Sequence, residues 1–172
     1  TFSAIQTPPN YQSSAFNGEV SWYRNQTFRH PATGEQETIS DLSIAADKYI
    51  IYAGSRPIAG TTLGIGGPGG GGWGNDIITQ GFTGAEIAEI DQITTHFFAA
   101  ASNRGETSGF ASWGGAVTFD TNTNWHYDAN SQPTGNSDFL SIAIHEVGHA
   151  MGIGASSEWN ALIELVGTAD NI

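Results

Sequence analysis

Apolar positions cluster in three short windows and recur at helical spacing in two longer ones. Lys48–Ala53 (KYIIYA) is β-branched and aromatic, which predicts a strand. Val20–Tyr23 reads as a short strand, and Ala116–Thr121 (AVTFDT) as another that ends in a polar turn through Asn122 and Asn124. Thr83-Gly84-Ala85-Glu86 has the form of a capping box. Ile87, Ile90, Thr94, Phe97 and Ala101 then follow at three- and four-residue steps, predicting a helix over 83–104 that Gly105 stops. His96 lies off that stripe and is expected to be a solvated helical histidine. A second helix opens at Asn136-Ser137-Asp138, runs from Phe139 to Met151 and meets Gly152. Its apolar content (Ile142, Ala143, Ile144, Val147, Ala150) predicts burial on most sides. Residues 1–46 are polar and weakly periodic, broken by Pro8-Pro9 and His30-Pro31.

Gly64-Ile65-Gly66-Gly67-Pro68-Gly69 satisfies G-x-G-x-x-G, but Pro68 and the glycines through Gly72 stand where a helix would have to receive a pyrophosphate. No Lys-Ser/Thr pair follows, so nucleotide binding is rejected and a mobile surface loop over 64–74 is expected. Asp120, Asn122 and Asn124 resemble the start of an EF-hand loop. Trp125 and Ser131 stand where that loop needs Gly and Glu, so the EF-hand reading fails. Two readings of Asp120 remain: an ordinary turn, or a Ca2+ ligand together with nearby carbonyls. Asp76 is a weaker calcium candidate, and His126 a candidate for a second, structural metal site. Asn25-Gln26-Thr27 fits a glycosylation acceptor triplet, a pattern that arises often by chance.

Composition narrows the partners. The 172 residues suit one domain, and a net charge of −12 opposes nucleic acid and anionic lipid surfaces. No apolar run is long enough to span a bilayer, so no membrane insertion is expected. The absence of cysteine excludes disulfide scaffolds, thiol catalysis and Cys-type zinc sites. The chain opens at Thr1 without a leader, which together with low Lys and an acid excess predicts a processed, secreted protein or a fragment.

One constellation carries chemistry. His145 and His149 are four apart on the second helix, so both imidazoles project from one face and can share one Zn2+. Glu146, rotated by about 100° on the helix, can serve as general base toward a metal-activated water. Burying a carboxylate with two imidazoles needs compensation, which a metal supplies.

His145-Glu146-Val147-Gly148-His149-Ala150-Met151-Gly152 resembles the first eight positions of the metzincin motif, H-E-x-x-H-x-x-G. Phe119-Asp120 with Trp125, and Asp138-Phe139-Leu140-Ser141-Ile142-Ala143-Ile144 leading into His145, resemble the matrixin branch. The resemblance covers about residues 83 to 155. It implies an α+β, zincin-like catalytic domain: a twisted mixed sheet, mostly parallel, a backing helix at 83–104, and an HExxH active-site helix under a cleft. It also implies a zinc-dependent endopeptidase acting on protein or peptide, with His145 and His149 as ligands and Glu146 as general base. A substrate strand could add to the edge of Lys48–Ala53 or of Ala116–Thr121.

The family's third ligand would stand three residues after Gly152, where this chain has Ala155, and no methionine follows Met151 to form a Met-turn. Three readings stay open. An acid further on completes the site: Glu164 would resemble the gluzincin arrangement, Glu158 is nearer, and Gly167-Thr168-Ala169-Asp170 resembles an aspzincin segment. Alternatively, residues 1–172 form a single catalytic domain lacking part of its C-terminal subdomain, with the third ligand beyond it. In the third reading the chain is a non-catalytic exported module that binds metal or ligand only.

Overall fold

The computed structural model describes residues 4–102, 113–155 and 159–161. Strand β2 (Glu19–Arg29) organises the fold around it. Its burial alternates with the period of a strand: Val20, Trp22, Arg24, Gln26 and Phe28 face inward. Only Val20–Tyr23 was legible as a strand, because two of the inward residues are polar. Arg24 Nη1 and Gln26 Nε2 both donate to the Leu42 carbonyl, at 3.3 and 3.0 Å, which holds their donor ends inside while hiding the strand from a hydrophobic pattern; the buried Gln26 Oε1 has no partner among the described residues. β2 pairs antiparallel with β1 (Tyr11–Gln12), β3 (Gln36–Ser40) and β6 (Gly70–Thr79) to give a four-stranded sheet. The Asn25 triplet lies inside this ladder, with the Asn25 Oδ1 accepting from Ser40 Oγ at 2.9 Å.

A second sheet has the order β4-β7-β5, from β4 (Ile50–Arg56), β7 (Gly114–Asp120) and β5 (Gly64–Pro68). β4 runs parallel to β7, and β5 runs antiparallel to it. The two sheets share a core in which the Phe28 ring stacks on Tyr52 at 4.1 Å and Trp113 meets Phe28 edge-on. Ile5, Ile44 and Ala116 complete it.

Helix α1 (Gly84–Ser102) covers the other end of the four-stranded sheet, laying Ile90 and Phe97 on Val20 and Trp22. The Trp22 indole donates to Thr94 Oγ1 at 3.0 Å, so the polar member of the predicted stripe also meets the sheet. The capping box forms in both directions: Glu86 N donates to Thr83 Oγ1, and Thr83 N to the Glu86 carboxylate. Helix α2 (Phe139–Ala150) packs on β5 and β7. The short parallel pair β8 (Trp125–His126) and β9 (Ser137–Asp138) leads into it.

The architecture is therefore mixed α+β, with two departures from expectation. The sheets are mostly antiparallel rather than mostly parallel, because the described residues 4–80 contribute six strands, five of which pair antiparallel with their neighbours. The glycine-rich segment is not a surface loop: it forms β5 and the first half of β6. Glycines give no alternation to read, and here the strands are held by the backbone ladder and by close approach of neighbours. Among the described residues, no helix is long and apolar enough to cross a membrane.

Candidate metal centre

Helix α2 starts where Asp138, with extended backbone, accepts a hydrogen bond from Ser141 N at 3.0 Å. The Ser141 hydroxyl, and after it that backbone bond, hold the Asp138 carboxyl below the usual carboxylate range. At the other end Gly152 N donates to the His149 carbonyl and Ile153 N to the Gly148 carbonyl, the paired bonds of a Schellman turn. Gly152 has φ +95°, so the residue type at the predicted stop is the one the turn requires.

This turn has a chemical consequence. It brings the Ile153 carbonyl back to His149 Nδ1, at 2.8 Å. With Nδ1–H donated there, the Nε2 lone pair of His149 is free to face His145. The two Nε2 atoms stand 3.0 Å apart. Two imidazoles on one tetrahedral zinc, each at about 2.0–2.1 Å, would have their nitrogens about 3.3 Å apart. The pair fits a zinc ion with a shift of a few tenths of an ångström.

Glu146 points elsewhere. It is 7% exposed and lies against β5, where a Cβ on Gly64 would come within 2.7 Å of Glu146 Cγ. At Gly66 a Cβ would fall 2.1 Å from the Glu146 carbonyl oxygen. The glycines of β5 are what let the helix lie directly on the strand. The helix is not buried on most sides, contrary to its composition: Leu140 and Ile144 are 49% and 65% exposed, and His145 is exposed as well. Of the three motif residues, only Glu146 is buried.

Ala155 is part of the turn, donating its N–H to the Gly152 carbonyl at 3.2 Å. Its methyl group offers no metal donor. The third-ligand candidates Glu158, Glu164 and Asp170 lie outside the described residues. Among the described residues no group of three His, Cys, Asp or Glu is placed to hold a metal.

The remaining candidates are dispersed. Asp120 is buried, and its carboxylate accepts from Ile58 N at 2.8 Å and from Thr123 Oγ1 at 2.7 Å, which lowers its pKa. Its carbonyl accepts from Trp125 Nε1, so Asp120 staples the strand end to the following turn. His126 Nε2 sits 2.8 and 3.0 Å from the carbonyls of Asp128 and Ser131 and closes its own loop. Asp76 stands opposite Ser21 in β6, and His96 is exposed on α1. Sequence reasoning missed Gly64, Gly66 and the Ile153 carbonyl. The glycine run was the visible signal for the first two, while a backbone carbonyl leaves no trace in residue identity.

The matrixin family model matches residues 84–170, which take in α1, β7 and α2. Matrix metalloproteinase-2 of Drosophila melanogaster is 30% identical over 66 residues, 38% of this chain. The match spans 8% of the length of that relative. No solved structure matches significantly.

Proposed function

This chain belongs to the matrixin family of metalloproteases, and we propose that it is a zinc-dependent endopeptidase whose site is built on α2. The observation that carries the reading is the convergence of His145 and His149 Nε2, 3.0 Å apart, with Glu146 between them in sequence. His145 and His149 hold the metal, and Ile153 keeps the His149 ring in the tautomer that leaves Nε2 free. The third donor comes from the segment after Ala155, with Glu158, Glu164 and Asp170 as the residues to substitute, or from outside these 172 residues. Bound zinc supplies Lewis acidity toward the scissile carbonyl and the attacking water.

Glu146 accepts the proton of that water and delivers it to the leaving amine. Its position against the Gly64 and Gly66 backbone holds it on one side of the helix and shields it from bulk water. Of the two strands offered for substrate pairing, β7 is interior, flanked by β4 and β5. The edges of that sheet are β4 and β5, and β5 is the one bordering Glu146. We assign the extended peptide to the β5 edge. The domain acts outside the cell, in keeping with the name of its matrix metalloproteinase relative.

The test is hydrolysis of an unstructured protein substrate by the zinc-loaded chain, with and without chelator. Glu146→Gln is expected to lower the rate at least about 100-fold while zinc content stays unchanged. His145→Ala and His149→Ala are expected to lose the metal. Chelator-insensitive cleavage, or full activity in Glu146→Gln, overturns the reading. Zinc binding without any hydrolysis would mark a non-catalytic metal-binding module instead.

A further inference from the structure

A cavity lies between the two sheets, on the face of the β4-β7-β5 sheet opposite α2. Its volume is about 410 Å3, and Phe28, Arg29, Arg56, Ile65, Ala116 and Thr118 line it together with Gly34 and the backbone of β5. That size falls in the range of small-ligand sites. The electrostatics are unusual for this chain. It has 17 Asp and Glu against 5 Lys and Arg, yet two of the five cations line this cavity and, among the described residues, no carboxylate does.

Both guanidinium groups gather on the β2–β3 turn at Gly34. Arg29 Nη1 donates to the Gly34 carbonyl at 3.2 Å. The Arg56 guanidinium lies flat against Gly34, where a Cβ would fall 3.0 Å from its Cζ. Gly34 has φ +79°, so the turn itself favours the residue that leaves this space open. Neither arginine forms an ion pair with a described carboxylate, and the buried Arg56 Nε has no hydrogen-bond partner. Two cations thus meet on one turn, neither ion-paired with a described carboxylate, an arrangement that an anion in the cavity would complement.

We propose that this cavity binds an organic monocarboxylate, held by the Nη groups of Arg29 and Arg56 with its apolar body against Phe28, Ile65 and Ala116. Phe28, Ile65 and Ala116 give the wall an apolar character that suits a carbon skeleton better than a phosphate. The net charge of −12 also penalises a dianion more than a monoanion. The carboxylate belongs either to a free acid or to a peptide C-terminus, and the probes below separate the two.

The experiment follows the arginine Nε–Hε resonances of the full chain by NMR during titration with 3-phenylpropanoate, acetyl-Ala-Phe, its C-terminal amide, inorganic phosphate and sodium chloride. Saturable shifts of the Arg29 and Arg56 signals are expected with one or both carboxylates, and none with the amide. Whichever carboxylate saturates at lower concentration names the source. Arg29→Gln and Arg56→Gln are each expected to weaken binding about 10-fold. Arg29 is exposed, so its variant is expected to fold normally and decides the matter alone if Arg56→Gln does not fold. Equal shifts with chloride, tighter binding of phosphate, absence of saturation, or undiminished affinity in Arg29→Gln would each overturn the proposal.

Discussion

The carbonyl of Ile153 accepts the Nδ1–H of His149 across 2.8 Å, and it is there because Gly152 turns the chain back on the helix it has just ended. The orientation of a metal-facing imidazole therefore depends on a glycine that touches no metal. Gly152→Ala would force a Cβ into the left-handed region, at about 1–2 kcal/mol. Zinc affinity is expected to fall about 10-fold as the His149 ring loses its partner. Thermal unfolding and zinc titration of the same variant check both halves, and unchanged affinity would show that the turn is dispensable to the ring.

At the other end of the same helix, Asp138 satisfies the Ser141 amide. Asp138→Ala is expected to cost about 1 kcal/mol, and Asp138→Asn much less, because the amide oxygen can still accept. Denaturant midpoints of the two variants give the comparison.

Glu86 should leave a pH signature. Hydrogen bonds from Thr83 N and Ser14 N, with further ones from the Ser13 and Thr83 hydroxyls, lower its pKa from 4.5 to about 2. A carboxyl depressed in the folded state contributes stability that is present above its unfolded pKa. That contribution is lost as pH falls from about 4.5 toward about 2. Glu86→Gln is therefore expected to lower the denaturant midpoint at pH 7, with the gap to the parent closing as pH approaches 2. A gap that stays constant from pH 7 to 2.5 would rule out this origin.

Gly66 and Gly67 are neighbours in β5 with opposite surroundings. A Cβ at Gly66 would strike the Glu146 backbone, whereas at Gly67 it would meet nothing within 4 Å. Gly66→Ala is expected to destabilise by about 1–3 kcal/mol through overpacking, and to depress hydrolysis by displacing Glu146. Gly67→Ala should stay within about 0.5 kcal/mol of the parent. Equal effects at the two positions would mean that contact with α2 is not what selects glycine here.

The helices and the HExxH constellation were legible because their information is local. Thr83 with Glu86 is a capping box that can be read as a string, Asn136-Ser137-Asp138 marks the opening of α2 without singling out Asp138, and His145 and His149 follow helical arithmetic. Much of the sheet was not legible, for reasons that differ by strand. In β2, Arg24 and Gln26 are buried polar residues whose acceptor, the Leu42 carbonyl, lies outside any local window. In β5 and β6 the run of glycines carries no alternation, and the partners that make them strands are β7 and β2, far away in sequence. The exposure of Ile144 and Leu140 was missed for the opposite reason: composition describes what a helix could bury, and the packing partner on that side is what decides.

The contact between β5 and α2 also bears on how the protein can change over generations. A clash between two side chains can be repaired by a second mutation that trims the neighbour. At Gly66 the obstacle is the carbonyl of Glu146, which every amino acid carries, so no substitution at position 146 can make room. Genetic suppressors of Gly66→Ala should therefore be scarce, and those that arise should shift the whole helix, with changes at the ends of α2 or in the residues beneath it. The glycine strand leaves the lineage one spacing between sheet and helix and few ways to renegotiate it.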